Sequence, residues 1–101
     1  MAAFEEQVRR ALDALPPELA TGLKNVAVVV EDENPGEPGV LGLFEERTYL
    51  PAKVTIYRRP LEAAFGRDPE LLEHEIRVTV LHELAHYFGL DEGRLAELGY
   101  A

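Results

Sequence analysis

The chain lacks cysteine and tryptophan, contains one methionine, and carries few positive charges for its size. Without cysteine, it can form neither disulfide bonds nor thiolate metal sites, so any metal must be held by His, Asp or Glu. Its 10 Lys and Arg residues stand against 19 Asp and Glu residues, a formal net charge of −9. Because binding a nucleic-acid backbone needs a positive surface, this balance argues against a nucleic-acid partner.

Long hydrophobic runs are also missing. The longest aliphatic run covers residues 26–30, far short of the roughly 20 residues that a membrane-spanning helix needs. Residues 1–19 are interrupted by charged side chains such as Glu5 and Arg9, a pattern unlike that of a signal peptide. We therefore expect a protein without a membrane partner, located in the cytoplasm.

The composition itself is typical of a globular domain. Hydrophobic residues make up 47% and charged residues 29% of 101 residues, which predicts a single domain over residues 1–101. A chain of this length has only a modest core. A homodimer would be compatible with so small a core, although no motif argues for one.

Helical segments are predicted at both ends of the chain. An apolar stripe over Phe4–Leu15 predicts an N-terminal helix, which the following prolines end. Asp68 is a good N-cap for a helix of about five turns over Pro69–Phe88. Shorter helical segments are predicted over Pro60–Phe65 and Glu92–Leu98.

Three strands are predicted between these helices. The β-branched segment Asn25–Glu31 indicates a strand buried on both faces, and the acidic segment 32–39 after it indicates a connecting loop. Val40–Phe44 indicates a second strand, in which Gly42 suggests a bulge or a close approach of another backbone. Lys53–Arg58 alternates in polarity, which indicates a third strand with one buried face.

The residues His82-Glu83-Leu84-Ala85-His86 match the H-E-x-x-H pattern of zinc peptidases. Residues four apart lie on one helix face, so both imidazoles can reach one ion about 2 Å from each nitrogen. Glu83 lies beside the first of them, where it can take a proton from a water at the ion. In the alternative interpretation, both histidines are hydrogen-bonded core residues and Glu83 pairs with Arg58 or Arg59.

The surroundings of the motif favour the metal site. Between Val78 and Phe88 the helix is apolar on most sides. At about 100° per residue, four polar side chains fall within one arc of roughly 100°. These are Thr79, His82, Glu83 and His86. Burying two imidazoles and a carboxylate without partners would be costly, so their clustering is typical of a metal or catalytic cleft.

A third ligand is expected just after the helix. Gly89 permits the left-handed turn that ends the helix and bends the chain back toward the imidazoles. Asp91 and Glu92 follow this turn. Because Asp91 has the position of an N-cap for the last helix, we favour Glu92 as the ligand and keep Asp91 as the alternative.

The run from His82 to Glu92 resembles the extended zincin pattern H-E-x-x-H-x-x-G-x-x-(H/D). Together with the segment Tyr-Arg-Arg-Pro at 57–60, it resembles the small bacterial zincin-like metallopeptidases, or mini-zincins. Glu92 stands where that family more often has Asp, and the methionine turn of larger zincins is absent because the only methionine is Met1.

The resemblance implies an α+β, minimal zincin-like fold. A small twisted sheet of about three to four strands would pack on a long zinc-binding helix and an N-terminal helix. The implied cofactor is Zn²⁺, and the implied general base is Glu83. The implied metal ligands are His82, His86 and Glu92.

The expected function is therefore that of a zinc-dependent metallopeptidase. A metal-activated water would hydrolyse a peptide bond of a peptide or protein substrate, with Glu83 as general base. In larger zincins the substrate lies along an edge strand, and Val40–Phe44 is the candidate here. One alternative is a catalytically inactive module that binds a metal or a partner. A metal-dependent ribonuclease with similar histidine spacing is disfavoured by Glu83, Glu92 and the negative charge.

Overall fold

The computed structural model describes residues 3–88 and 92–97, which form five α-helices, one 3-10 helix and three strands. In chain order these are α1 (Ala3–Asp13), α2 (Pro17–Ala20), the 3-10 helix Thr21–Asn25, β1 (Val26–Glu31), β2 (Gly42–Glu45), β3 (Ala52–Tyr57), α3 (Arg58–Phe65), α4 (Pro69–Phe88) and α5 (Glu92–Glu97). The α+β class is confirmed. No helix within these residues has the length and apolar character to cross a membrane.

The three strands form one mixed sheet in the order β1-β3-β2. β1 runs parallel to β3, with Val26 opposite Ala52, and β2 runs antiparallel to β3, with Gly42 opposite Ile56. β3 is therefore the central strand, and β1 and β2 form the two edges. This order places the predicted substrate strand at an edge of the sheet.

Two predictions about strand burial are wrong. β1 is not buried on both faces, since only Val26 is fully buried and the valines after it are half-buried. It lies at an edge of the sheet, where one side of the strand has no neighbouring strand. β3 has more than one buried face, because Lys53 alone among its residues is not buried. As the central strand, β3 has β1 along one side and β2 along the other.

The core lies between the sheet and two helices. From β3, Val54 and Ile56 are fully buried, and they join Ile76, Val80 and Leu84 of α4 in one cluster. α1 adds its own apolar stripe to this cluster through Phe4, Val8 and Ala11. Burying such an aliphatic side chain contributes about 1.5–3 kcal/mol each. The sequence of α4 thus holds the helix against the sheet along most of its length.

The start of α4 follows the prediction. The Asp68 carboxylate accepts hydrogen bonds from the backbone N–H groups of Glu70 and Leu71, at 3.1 and 3.2 Å. These bonds satisfy two of the donors that every helix N-terminus leaves unpaired. α4 spans Pro69–Phe88 as predicted, whereas Arg58 begins α3 instead of ending β3.

Candidate metal centre

The polar arc of α4 meets the edge strand β2 at Gly42. A Cβ atom built at Gly42 would lie 2.7 Å from Cγ2 of Thr79 and 3.3 Å from Cγ of Glu83. The pairing of β2 with β3 runs without interruption from Gly42 to Glu45, so there is no bulge. The elements that approach closely here are side chains of α4, and not the other backbone that the glycine suggested; they bring Glu83 beside β2.

The outer edge of β2 presents main-chain groups next to this contact. The N–H of Tyr57 donates to the carbonyl oxygen of Leu41 at 3.0 Å. Along an antiparallel ladder, bonded pairs alternate with unbonded pairs, so Leu41 and Leu43 direct their main-chain groups at β3. Those of Gly42 and Phe44 point away from the sheet. In the described part of the chain, no strand pairs with this edge.

His82 provides the clearest sign of a metal site. Its Nε2 atom is buried and has no hydrogen-bond partner among the residues described. Leaving a buried polar atom unpaired costs about 1–3 kcal/mol, so native proteins rarely tolerate it without a functional reason. A neutral imidazole nitrogen is also a common zinc ligand. The unpaired Nε2 atom therefore fits a metal ligand, and the alternative of a hydrogen-bonded core histidine does not account for it.

Glu83 does not form the ion pairs proposed in the alternative interpretation. Arg58 is bound to Asp32 at 2.8 Å and to Glu62 at 2.7 Å. Arg59 is 3.3 Å from Glu33. The half-buried carboxylate of Glu83 makes no hydrogen bond or ion pair with any other residue in 3–88 or 92–97. It is therefore available to act on a water or substrate in front of β2.

The ion pair of Asp32 and Arg58 ties the loop after β1 to the start of α3. Hydrogen bonds from Arg58, together with its positive charge, hold the pKa of Asp32 below its ordinary value of 3.8. The same bonds raise the pKa of Arg58. The N–H of Arg59 also donates to the carbonyl oxygen of Asp32 at 2.9 Å. The loop that leads into β2 is thus anchored at its first residue, while most of segment 32–39 is exposed, as predicted for a connecting loop.

The other predicted ligands are His86, Glu92 and the alternative to Glu92, Asp91. His86 lies on α4 and Glu92 on α5, but their side chains are outside the described part of the chain, as is the whole of Asp91. Among the residues described, no group of three or more His, Cys, Asp or Glu side chains is close enough to hold a metal ion. Of the predicted site residues, the structure describes the neighbours His82 and Glu83 on α4, and it places Glu83 beside Gly42 of β2.

Thr79 is a residue whose role the motif did not indicate. It is 7% exposed, and its Oγ1 donates to the carbonyl oxygen of Glu75 at 2.8 Å. Its methyl carbon, Cγ2, would be the atom nearest to a Cβ built at Gly42. Thr79 belongs to the polar arc of the helix. That β2 lies against it is known only from the packing of α4 on the sheet.

Comparison with known proteins agrees with this geometry. A sequence model described as zincin-like metallopeptidase matches residues 23–100, which include the sheet, α4 and the H-E-x-x-H motif. No curated protein matches the chain. Because the matched segment covers well over half of the sequence, the chain belongs to the zincin-like metallopeptidase family.

Proposed function

We propose that this protein is a zinc-dependent metallopeptidase that hydrolyses extended peptides, with Glu83 as general base. The observation that carries the proposal is the buried Nε2 atom of His82, which no described residue pairs with. It lies in an H-E-x-x-H motif on a helix that packs against an open sheet edge. Family membership supports the same activity.

The residues proposed to hold the zinc ion are His82, His86 and Glu92, with Asp91 as the alternative to Glu92. Two histidines and a carboxylate are a common ligand set of catalytic zinc, and they leave a fourth position open. When bound, a zinc ion would supply Lewis acidity, which lowers the pKa of a water and polarises a carbonyl group. Leu81 and Leu84 are buried in the apolar clusters that hold this part of α4 in place.

Glu83 is proposed to move the proton. Its carboxylate would take a proton from the attacking water and pass it to the amine that leaves when the peptide bond breaks. Because no described residue neutralises this carboxylate, none of the described residues competes with the water for it. Its position beside Gly42 places the base next to the strand where the substrate would lie.

The substrate is proposed to bind as an added strand on β2. The outward N–H and C=O groups of Gly42 can form main-chain hydrogen bonds with an extended peptide. Such bonds do not depend on the side chains of the peptide. Because a folded protein rarely presents a free extended segment, a short or flexible peptide fits this edge best.

The proposal can be tested by metal-dependent cleavage. The purified protein is stripped with a chelator, reloaded with one zinc ion per chain, and incubated with a mixture of unstructured peptides. We expect new peptide termini by mass spectrometry only in the zinc-loaded sample, and their loss on chelation. Stoichiometric zinc without any cleavage would contradict the peptidase and indicate the inactive metal-binding module instead.

A further inference from the structure

Gly42 belongs to two parts of the proposed site. Its main-chain groups point outward along the edge proposed to bind the substrate, while the position of its missing side chain faces Thr79 and Glu83 of α4. We propose that Gly42 is a positioning residue that sets the distance between the general base Glu83 and the bound peptide. This inference rests on the proposed peptidase function and extends it to a residue outside the metal-binding motif.

The contact at Gly42 leaves no room for a side chain. An added Cβ would lie 2.7 Å from Cγ2 of Thr79, whereas ordinary van der Waals contact begins near 3.4 Å. The Cβ would also lie 3.3 Å from the carbonyl oxygen of Thr55, which belongs to the central strand. The backbone of β3 therefore crowds the same position. A side chain at position 42 fits only if the atoms around it shift.

Thr79 cannot easily turn its methyl group away. Its hydroxyl is bonded to the carbonyl oxygen of Glu75 at 2.8 Å, and its side chain is almost completely buried. Threonine is also stiff at χ1 because it is branched at Cβ. The methyl group is thus held toward Gly42, and pressure on it moves the helix backbone instead of a flexible side chain.

A shift of the helix at Thr79 also moves Glu83. The two residues are one turn apart on α4, and the Cβ at position 42 would in addition lie 3.3 Å from Cγ of Glu83. The zinc ligand His82 belongs to the same turn, so the metal and the base would move together relative to β2. A misplacement of about 1 Å between reacting groups can cost about 10²-fold in rate. The expected defect is therefore in kcat, because the main-chain groups that bind the peptide remain.

The test compares four variants of the zinc-loaded protein: Gly42→Ala, Thr79→Ser, the double variant, and Gly39→Ala. Thr79→Ser removes the interfering methyl group and keeps the hydroxyl. Gly39 is the matched control, since a Cβ there meets nothing within 4 Å. We expect Gly42→Ala to lower kcat by about 10–100-fold with KM and zinc content unchanged. The double variant should recover to within about threefold of Thr79→Ser, and Gly39→Ala should match the wild type.

Thermal unfolding of the zinc-free variants provides a readout without catalysis. Gly42→Ala should lower the Tm by several degrees, and this loss should shrink when Thr79→Ser is also present. If the Tm changes of the two single variants do not add up in the double variant but kcat is unchanged, Gly42 is a purely structural residue and the positioning role is overturned. If the Tm changes do add up, the contact between positions 42 and 79 is itself overturned. If the wild type cleaves no peptide, the proposed function fails and the positioning role fails with it.

Discussion

His82→Leu is expected to make the metal-free protein more stable while abolishing its response to zinc. Nε2 of His82 is buried and has no hydrogen-bond partner within residues 3–88 and 92–97, which costs about 1–3 kcal/mol when no metal is bound. Leucine has a similar volume and no polar atom to leave unsatisfied. The free energy of unfolding in the presence of a chelator should therefore rise by up to about 1–3 kcal/mol.

Urea denaturation of the wild type and His82→Leu, each with chelator and with excess zinc, measures both effects. Zinc at a free concentration of 100 times its Kd should stabilise the wild type by about 2.7 kcal/mol and leave His82→Leu unchanged. His74→Leu is the matched control, because His74 is a half-buried histidine on the same helix that already has an interaction partner. It should gain no stability and keep the zinc response. A metal-free His82→Leu protein less stable than the wild type would refute the reasoning.

Two further predictions concern the third ligand and the loop after β1. Glu92→Ala should weaken zinc binding by about 100-fold or more, whereas Asp91→Ala should retain the zinc affinity of the wild type. Competition with a chromogenic chelator measures both affinities. Weaker binding by Asp91→Ala and unchanged binding by Glu92→Ala would make Asp91 the ligand. Asp32→Asn should lower the Tm at pH 7, because Arg58 holds the pKa of Asp32 below 3.8 in the folded protein. This stabilisation exists above the ordinary pKa and is lost as the pH falls through the lowered pKa. The Tm difference between Asp32→Asn and the wild type should therefore shrink as the pH falls below 3.8, and a difference that does not shrink on acidification would contradict it.

Features set by local sequence could be predicted well. The N-cap at Asp68 and the length of α4 depend on neighbouring residues, and both agree with the structure. The position of the H-E-x-x-H motif on one helix follows from the same local rules. Pairing of distant segments is different. A run of β-branched residues occurs in central and edge strands alike, so the valines of β1 did not show that this strand lies at an edge.

The candidate site also combines residues that local sequence predicts with contacts between distant segments that it does not predict. His82 and Glu83 could be proposed from the H-E-x-x-H pattern and the apolar residues around it, since all of these belong to one helix. The glycine in β2 indicated a close approach, but it could not identify Thr79 and Glu83 as the neighbours, because that contact joins segments almost 40 residues apart. The pairing of Arg58 with Asp32 instead of Glu83 likewise depends on how the loop after β1 meets α3.

The central claim is that Glu83 acts as the general base of a zinc peptidase. The most direct measurement is the kcat of zinc-loaded wild type and Glu83→Gln on one cleaved peptide, at equal zinc content by elemental analysis. Removing a general base should lower kcat by about 10²–10⁴-fold while zinc remains bound. Equal kcat values for the two proteins at equal zinc occupancy would contradict the claim.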